Sequence, residues 1–219
     1  MGLVLLVRHG QASFGADDYD VLSDVGWQQG RLLGAWLAAQ GVTPARVVRG
    51  DMRRHRETAE AMAEGAGWGG VPTEVAADWD EFDHLSVVAA DPDHPGGELS
   101  RREFQQVFER ATARWTAGEG EGYAETYAGF CARVRRGLES AAGASGTTVV
   151  VSSGGPIAVA AADLADPAAE PPVHARLWQR FNTVVVNSSV TRVIVGATGT
   201  RLLTFNEHAH LTPDVLTYR

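Results

Sequence analysis

Leu3–Val7 is five apolar residues without a polar interruption, and it runs straight into Arg8-His9-Gly10. A run of that kind reads as a strand buried on both faces, which requires a layer of structure on each side of its sheet. Thr147–Val151 repeats the pattern and breaks into Ser152-Ser153-Gly154-Gly155, after which Pro156 opens a helix. In sheets of this type, ligands bind beyond the carboxyl ends of the strands. The two strand ends that carry Arg-His-Gly and Ser-Ser-Gly-Gly are therefore the first places to look for chemistry.

The intervening sequence alternates strands and helices. Ser23-Asp24 offers a helix cap, Leu32, Leu33, Trp36 and Leu37 follow at helical spacing, and Gly41 ends the helix. Arg46–Arg49 reads as a short strand, Met52 to about Ala66 as a helix closed by the glycine-rich GAGWGG, and Val71–Ala76 as a further strand. Glu81 to Leu99 reads as loop, with DPDHPGG its clearest break. Arg101–Thr116 and Tyr123–Ala142 are amphipathic helices. VTRVIV and RLLTF flank GATG and read as a closing antiparallel hairpin. The expected fold is α/β: a three-layer arrangement of a mostly parallel sheet with helices on both faces. A chain of 219 residues without a convincing linker is expected to form a single domain over 1–219.

Composition narrows the chemistry. All 19 basic residues are arginine, which rules out a Walker A lysine and Schiff-base catalysis. The net charge of −8 argues against nucleic acid as a partner. No apolar run approaches the length of a membrane helix, and the N-terminal run lacks a basic region before it, so it reads as a core strand rather than a signal peptide. The single cysteine, Cys131, sits in a helical pattern and is expected to pack; a chain unable to form an internal disulfide suits the cytoplasm. GEGEG at 118–122 lacks the preceding strand that a dinucleotide fingerprint needs. His208 and His210 offer two ligands, too few for a metal site, and are expected to be structural or exposed; no metal or cofactor is implied.

An arginine beside a histidine at a buried strand end is costly without a partner, and an anion would satisfy both. The Gly154-Gly155 turn offers backbone N–H groups and the positive end of a helix dipole. Arginine is the side chain best suited to grip phosphate in a bidentate manner. The stretch GDMRRHRETAE, Gly50–Glu60, crowds three further arginines at a helix start. Arg53 and Arg56 read as a solvated face, and one inward arginine would complete a phosphate clamp.

Together these segments resemble the histidine phosphatase superfamily, with its phosphoglycerate mutase-like fold. LVRHGQA, GDMRRHRETAE, the acidic segment WDEFD (79–83), VVVSSGGPI and FNEHAHL occur in the family's order over nearly the whole chain. The resemblance implies that His9 is the nucleophile that takes the phosphoryl group, and that Arg8 and Arg54 hold the phosphoryl oxygens. Glu81 matches the general acid, with Asp80 and Asp83 as its neighbouring alternatives. Ser153 and Gly154 fall where the phosphate meets the turn, and Ser153 stands where the family places a second catalytic histidine. Three outcomes are open: Ser153 serves at a lower rate, another residue such as His55 or His84 reaches in, or the pocket only binds phosphate. Taken singly, His55 and His84 are each expected at the surface.

The expected function is hydrolysis of a small-molecule phosphomonoester through a phosphohistidine. The alternatives are a non-catalytic phospholigand-binding protein of the same fold and a mutase-type phosphotransferase. The loop QASFGADDYD carries three aspartates that would repel a highly charged phosphoglycerate, which favours hydrolysis of a less anionic ester. Trp79, Phe82 and Phe14 either line an apolar part of the site or pack in the core. A serine hydrolase built on Ser153, Asp163 or Asp166, and His208 or His210 is disfavoured, because Gly-x-Ser-x-Gly is absent.

Overall fold

In the computed structural model, which describes residues 2–13, 20–97 and 99–218, the N-terminal apolar run lies in β1 (Gly2–Arg8). The other strands are β2 (Arg46–Arg49), β3 (Thr73–Val75), β4 (Thr147–Ser152), β5 (Val190–Gly196) and β6 (Gly199–Glu207). They form a sheet of order β3-β2-β4-β1-β5-β6. β3, β2, β4 and β1 run parallel, while β5 is antiparallel to both β1 and β6, as expected for a closing hairpin.

The helices are α1 (Asp24–Ala39), α2 (Arg53–Ala66), α3 (His84–Ala89), α4 (Arg101–Thr116), α5 (Tyr127–Ala142), α6 (Gly154–Ala165) and α7 (Pro171–Asn182). They cover both faces, and β1 makes the reason visible. Val4 and Leu6 enter one core with residues of α4, α5, α6 and α7; Leu5 and Val7 enter the other with Leu33, Leu37 and Met62 of α1 and α2. Successive strand residues point to opposite faces, so a run with no polar residue is the only pattern that satisfies both layers. Leu5, Leu6 and Val7 are fully buried, and each contributes roughly 1.5–3 kcal/mol relative to exposure. Cys131 is buried on α5 with its neighbours Phe130 and Val134. Among the described residues no helix is long and apolar enough to cross a membrane.

Three elements depart from the sequence reading. α3 occupies part of the stretch read as loop; it has only six residues and starts where the Asp83 carboxylate accepts from the Ser86 N–H at 3.0 Å. α5 begins at Tyr127 rather than Tyr123, because Thr126 caps it by accepting from the Gly129 N–H at 3.1 Å. α7, for which no element was expected, begins with Pro171 in its first turn, where a missing N–H costs nothing.

The register fixes where function can sit. Arg8 pairs with Ser152 across β1 and β4, and Arg49 pairs with Val151 across β2 and β4. Parallel strands in that register deliver His9, Gly50 and Ser153 to one edge of the sheet. Glu207 of β6 and Val190 of β5 meet at the same edge, where Arg8 N–H donates to the Ser189 carbonyl at 3.1 Å.

α1 and α2 pack closely enough that side chains are excluded between them. A Cβ on Gly34 would lie 2.1 Å from the Met62 carbonyl oxygen, a backbone atom that has no rotamer to escape into. Gly34→Ala is therefore expected to lower stability by about 1–3 kcal/mol despite alanine's better helix propensity, a fall of several degrees in Tm. Gly69→Ala, at a position that faces open space, is expected to stay within about 0.5 kcal/mol. Urea unfolding of both variants checks the contrast.

Candidate active site

His9 leaves β1 at the sheet edge and is almost completely buried. Its Nδ1 lies 2.7 Å from the carbonyl oxygen of Gly10. A carbonyl only accepts, so Nδ1 carries the proton and Nε2 keeps its lone pair. The backbone around it is tied down from three sides. His9 N–H donates to Ser152 O at 2.8 Å, Gly10 N–H to Thr58 Oγ1 at 3.0 Å, and Asn187 Nδ2 to His9 O at 3.2 Å. Burial, reinforced by the guanidiniums of Arg54 and Arg8 and by His55, holds the His9 pKa well below its ordinary value. The ring is therefore a neutral base with an available lone pair.

α2 starts at this edge, so its first turns face the site. Arg54 is buried, while Arg53 and Arg56 lie on the solvated side, paired with Glu57 at 2.7 Å and Glu60 at 3.7 Å. Arg54 is thus the inward arginine the sequence called for. Its Nη1 pairs with Asp20 at 2.7 Å and its Nη2 lies 3.5 Å from Ser153 Oγ, while its buried Nε has no hydrogen-bond partner among the described residues. Asp20 also accepts from the Arg53 N–H at 2.8 Å. It is the one described aspartate of the acidic loop; Asp17, Asp18 and Phe14 lie outside the described residues. Arg8 donates through Nη1 to the carbonyls of Val185 and Tyr218, the latter at 3.0 Å. Arg8 Nε lies 3.8 Å from where a Cβ on Gly154 would stand, which sets the guanidinium against the turn.

The acidic segment closes the site opposite α2. Glu81 Oε2 accepts from the Gly155 N–H at 3.1 Å, and a Cβ on Gly155 would fall 2.1 Å from Glu81 Oε1. Only glycine lets the carboxylate approach the turn this closely. Of the two alternatives to Glu81, Asp83 is the cap of α3, and Asp80 accepts from the Asp51 N–H at 2.6 Å. Burial raises the Asp80 pKa. Arg133 holds the segment from outside, donating to the carbonyls of Asp78 at 3.1 Å and Asp80 at 2.6 Å, while Ser152 Oγ donates to Trp79 O at 2.6 Å. Trp79 and Phe82 are core residues, not site lining; Phe82 stacks on Trp115 at 4.8 Å between ring centroids.

Ser153 is buried at the N-cap of α6, and its hydroxyl lies 2.8 Å from His55 Nε2. The expectation that His55 would be exposed is overturned: the residue is fully buried, 5.8 Å from His9 between ring centroids. Because α2 begins at the sheet edge, its polar first turns are enclosed rather than solvated. His84 is half-buried and meets Phe108 edge-on at 6.3 Å. Thr58, Asn187 and Asp20 are site residues the sequence reading did not assign, while His55 entered it only as one of two residues that could reach in. The signal for two of them was available, since Thr58 stands four residues from Arg54 and donates to its carbonyl at 2.7 Å, and His55 adjoins it.

The chain also holds a cavity of about 1250 Å³, and none of Arg8, His9, Arg54, Glu81 or Ser153 is among its described lining residues. Its lining includes Gln11 and Ser13, which follow His9, and Leu85, Val88, Leu99 and Phe104 from the α3–α4 side. No arginine is among its described lining residues.

The model of the histidine phosphatase superfamily (branch 1) matches residues 4–208, and the chain belongs to that family. Among solved structures, it is similar to mycobacterial glucosyl-3-phosphoglycerate phosphatase (TM-score 0.66, 21% identity, covering 94% of this chain and 99% of that one). It is likewise similar to phosphoserine phosphatase from Entamoeba histolytica (TM-score 0.68, 17% identity, 97% and 100%). The phosphoglycerate mutase of Bacillus anthracis shares the fold as well (TM-score 0.65, 18% identity, 95% and 94%). No curated protein matched the sequence. The α/β fold is thus the phosphoglycerate mutase-like one, in a family of phosphatase type.

The electrostatics of His9 can be checked directly. Imidazole ¹⁵N spectra at pH 6.5, where an ordinary histidine is half protonated, are expected to show His9 neutral with its proton on Nδ1. A doubly protonated His9 ring, or a proton on Nε2, would contradict the geometry.

Proposed function

We propose that the protein is a phosphomonoester hydrolase that works through a phosphohistidine on His9. The observation that carries this reading is the Nδ1–H···O=C bond to Gly10, which leaves the Nε2 lone pair of a buried, neutral ring available for attack. In the first step His9 Nε2 attacks phosphorus and the ester P–O bond breaks. Glu81, in its acid form, gives its proton to the departing alkoxide. In the second step water attacks phosphorus, the P–N bond breaks, and Glu81 takes the water proton, so inorganic phosphate leaves and both groups return to their starting state. Arg8, Arg54 and the amides of the Gly154 turn offset the charge on the phosphoryl oxygens, and Ser153 presents a hydroxyl where the family has a second histidine. No step calls for a cofactor.

A small-molecule ester with a largely apolar leaving group suits the mixed lining of the cavity that begins at Gln11 and Ser13, whose described lining residues also include Leu85, Val88, His94 and Phe104. A phospholigand-binding protein without turnover is favoured by one observation, the neutral Ser153, and disfavoured by the placement of Glu81, which anion binding alone does not need. The buried Cys131 suits a reducing cytoplasm.

Hydrolysis of a generic phosphomonoester series separates the readings. His9→Ala is expected to reduce turnover to background. Glu81→Gln is expected to cost about 10²–10⁴ in kcat/KM with alkyl phosphates and much less with p-nitrophenyl phosphate, whose leaving group needs no proton. Turnover that survives His9→Ala, or an equal loss for both leaving groups in Glu81→Gln, contradicts the mechanism. Absence of turnover with phosphate binding intact favours the binding protein.

A further inference from the structure

His55 has no part in the mechanism above, yet the structure keeps it buried at some cost. Burial, with Arg54 and Arg49 nearby, disfavours its charged form. Its Nε2 is 2.8 Å from Ser153 Oγ, and its Nδ1 has no hydrogen-bond partner among the described residues, standing 3.9 Å from Asp80 Oδ1. Room has been made for this arrangement. A Cβ on Gly50 would lie 2.3 Å from His55 Nδ1 and 2.6 Å from Asp80 Oδ1, in collision with both. Any residue other than glycine at position 50 would displace the ring, the carboxylate or both.

We propose that His55 is a positioning residue for phosphoryl transfer, acting through Ser153: its Nε2–H donates to Ser153 Oγ and so turns the serine hydroxyl proton toward the bound phosphoryl group. This rests on the phosphatase reading for the reaction it serves. A hydroxyl has one hydrogen and two lone pairs. Ser153 can donate to an anion only if the short contact with His55 is supplied by the imidazole. Arg54 Nη2, at 3.5 Å on the same oxygen, is too long to fix the hydroxyl by itself. The imidazole absent from position 153 is thus present one layer back, with the serine as its extension. No bond is made or broken at either residue, and the proton inventory of the reaction is unchanged.

The test is a double-mutant cycle read by the affinity for inorganic vanadate, which does not depend on turnover. Ser153→Ala and His55→Leu are each expected to weaken binding by about ten- to a hundredfold, the range for one hydrogen bond to a charged group. The double variant is expected to be no weaker than Ser153→Ala, and His55→Gln, which retains an N–H, to recover most of the loss. Losses that multiply, or wild-type affinity in His55→Leu, overturn the proposal. Imidazole ¹⁵N spectra of the wild-type vanadate complex give a second reading that needs no variant: a protonated His55 Nε2 supports the role and a bare Nε2 excludes it. A coupled cycle in a protein that hydrolyses no phosphomonoester would sink the phosphatase reading while leaving this one standing. Failure of the wild type to bind vanadate at all would sink both.

Discussion

Everything at this site depends on a buried arginine, Arg54, a half-buried one, Arg8, and two buried histidines being held together at the edge of a parallel sheet. Buried cations repel one another and lose hydration. The structure eases this in two ways. It keeps His9 and His55 neutral, since burial and the adjacent guanidiniums both oppose their protonation. It also surrounds the guanidiniums with oxygens, from Asp20 at Arg54 and from the Val185 and Tyr218 carbonyls at Arg8. The neutrality that burial imposes on His9 is also what a nitrogen nucleophile requires, so a structural constraint and a chemical one coincide in a single ring.

The scaffold achieves this through register rather than through any single contact. With Arg8 opposite Ser152 and Arg49 opposite Val151, three strands end together. The chain must then turn in one crowded region, and glycine is used where crowding is greatest. Gly50 makes room between His55 and Asp80, and Gly155 lets Glu81 reach the turn backbone. Outside that shell Arg133 binds the carbonyls of the acidic segment. The position of Glu81 is therefore set by an arginine on α5, a helix the chemistry never touches.

Much of this was legible in the sequence. An apolar run that meets Arg-His-Gly declares a strand buried on both faces and a polar cluster at its end, and the family resemblance singled out Arg54, which is the buried one of the three arginines at the start of α2. What was not legible has a common physical origin. A polar helix face looks the same in sequence whether water or a buried polar cluster faces it, so His55 read as a surface residue and Glu57 and Thr58 drew no assignment, although all three are buried. The aromatic residues Trp79 and Phe82, which flank Asp80 and Glu81, are equally ambiguous, and here packing claims them. α3 was missed because a helix under two turns long carries almost no periodicity. The contact between His55 and Ser153 joins residues 98 positions apart, a pairing that only the β2–β4 register creates.

In the proposed reaction the Nε2 of His9 takes and releases a phosphoryl group. Mixing the protein with a ³²P-labelled phosphomonoester, quenching within the first turnover and mapping the label puts that step to the proof. Label is expected on His9, stable to alkali, labile to acid and lost on a chase with unlabelled substrate. Substrate consumed without label on His9, or stable label on a serine such as Ser153, would contradict that reaction.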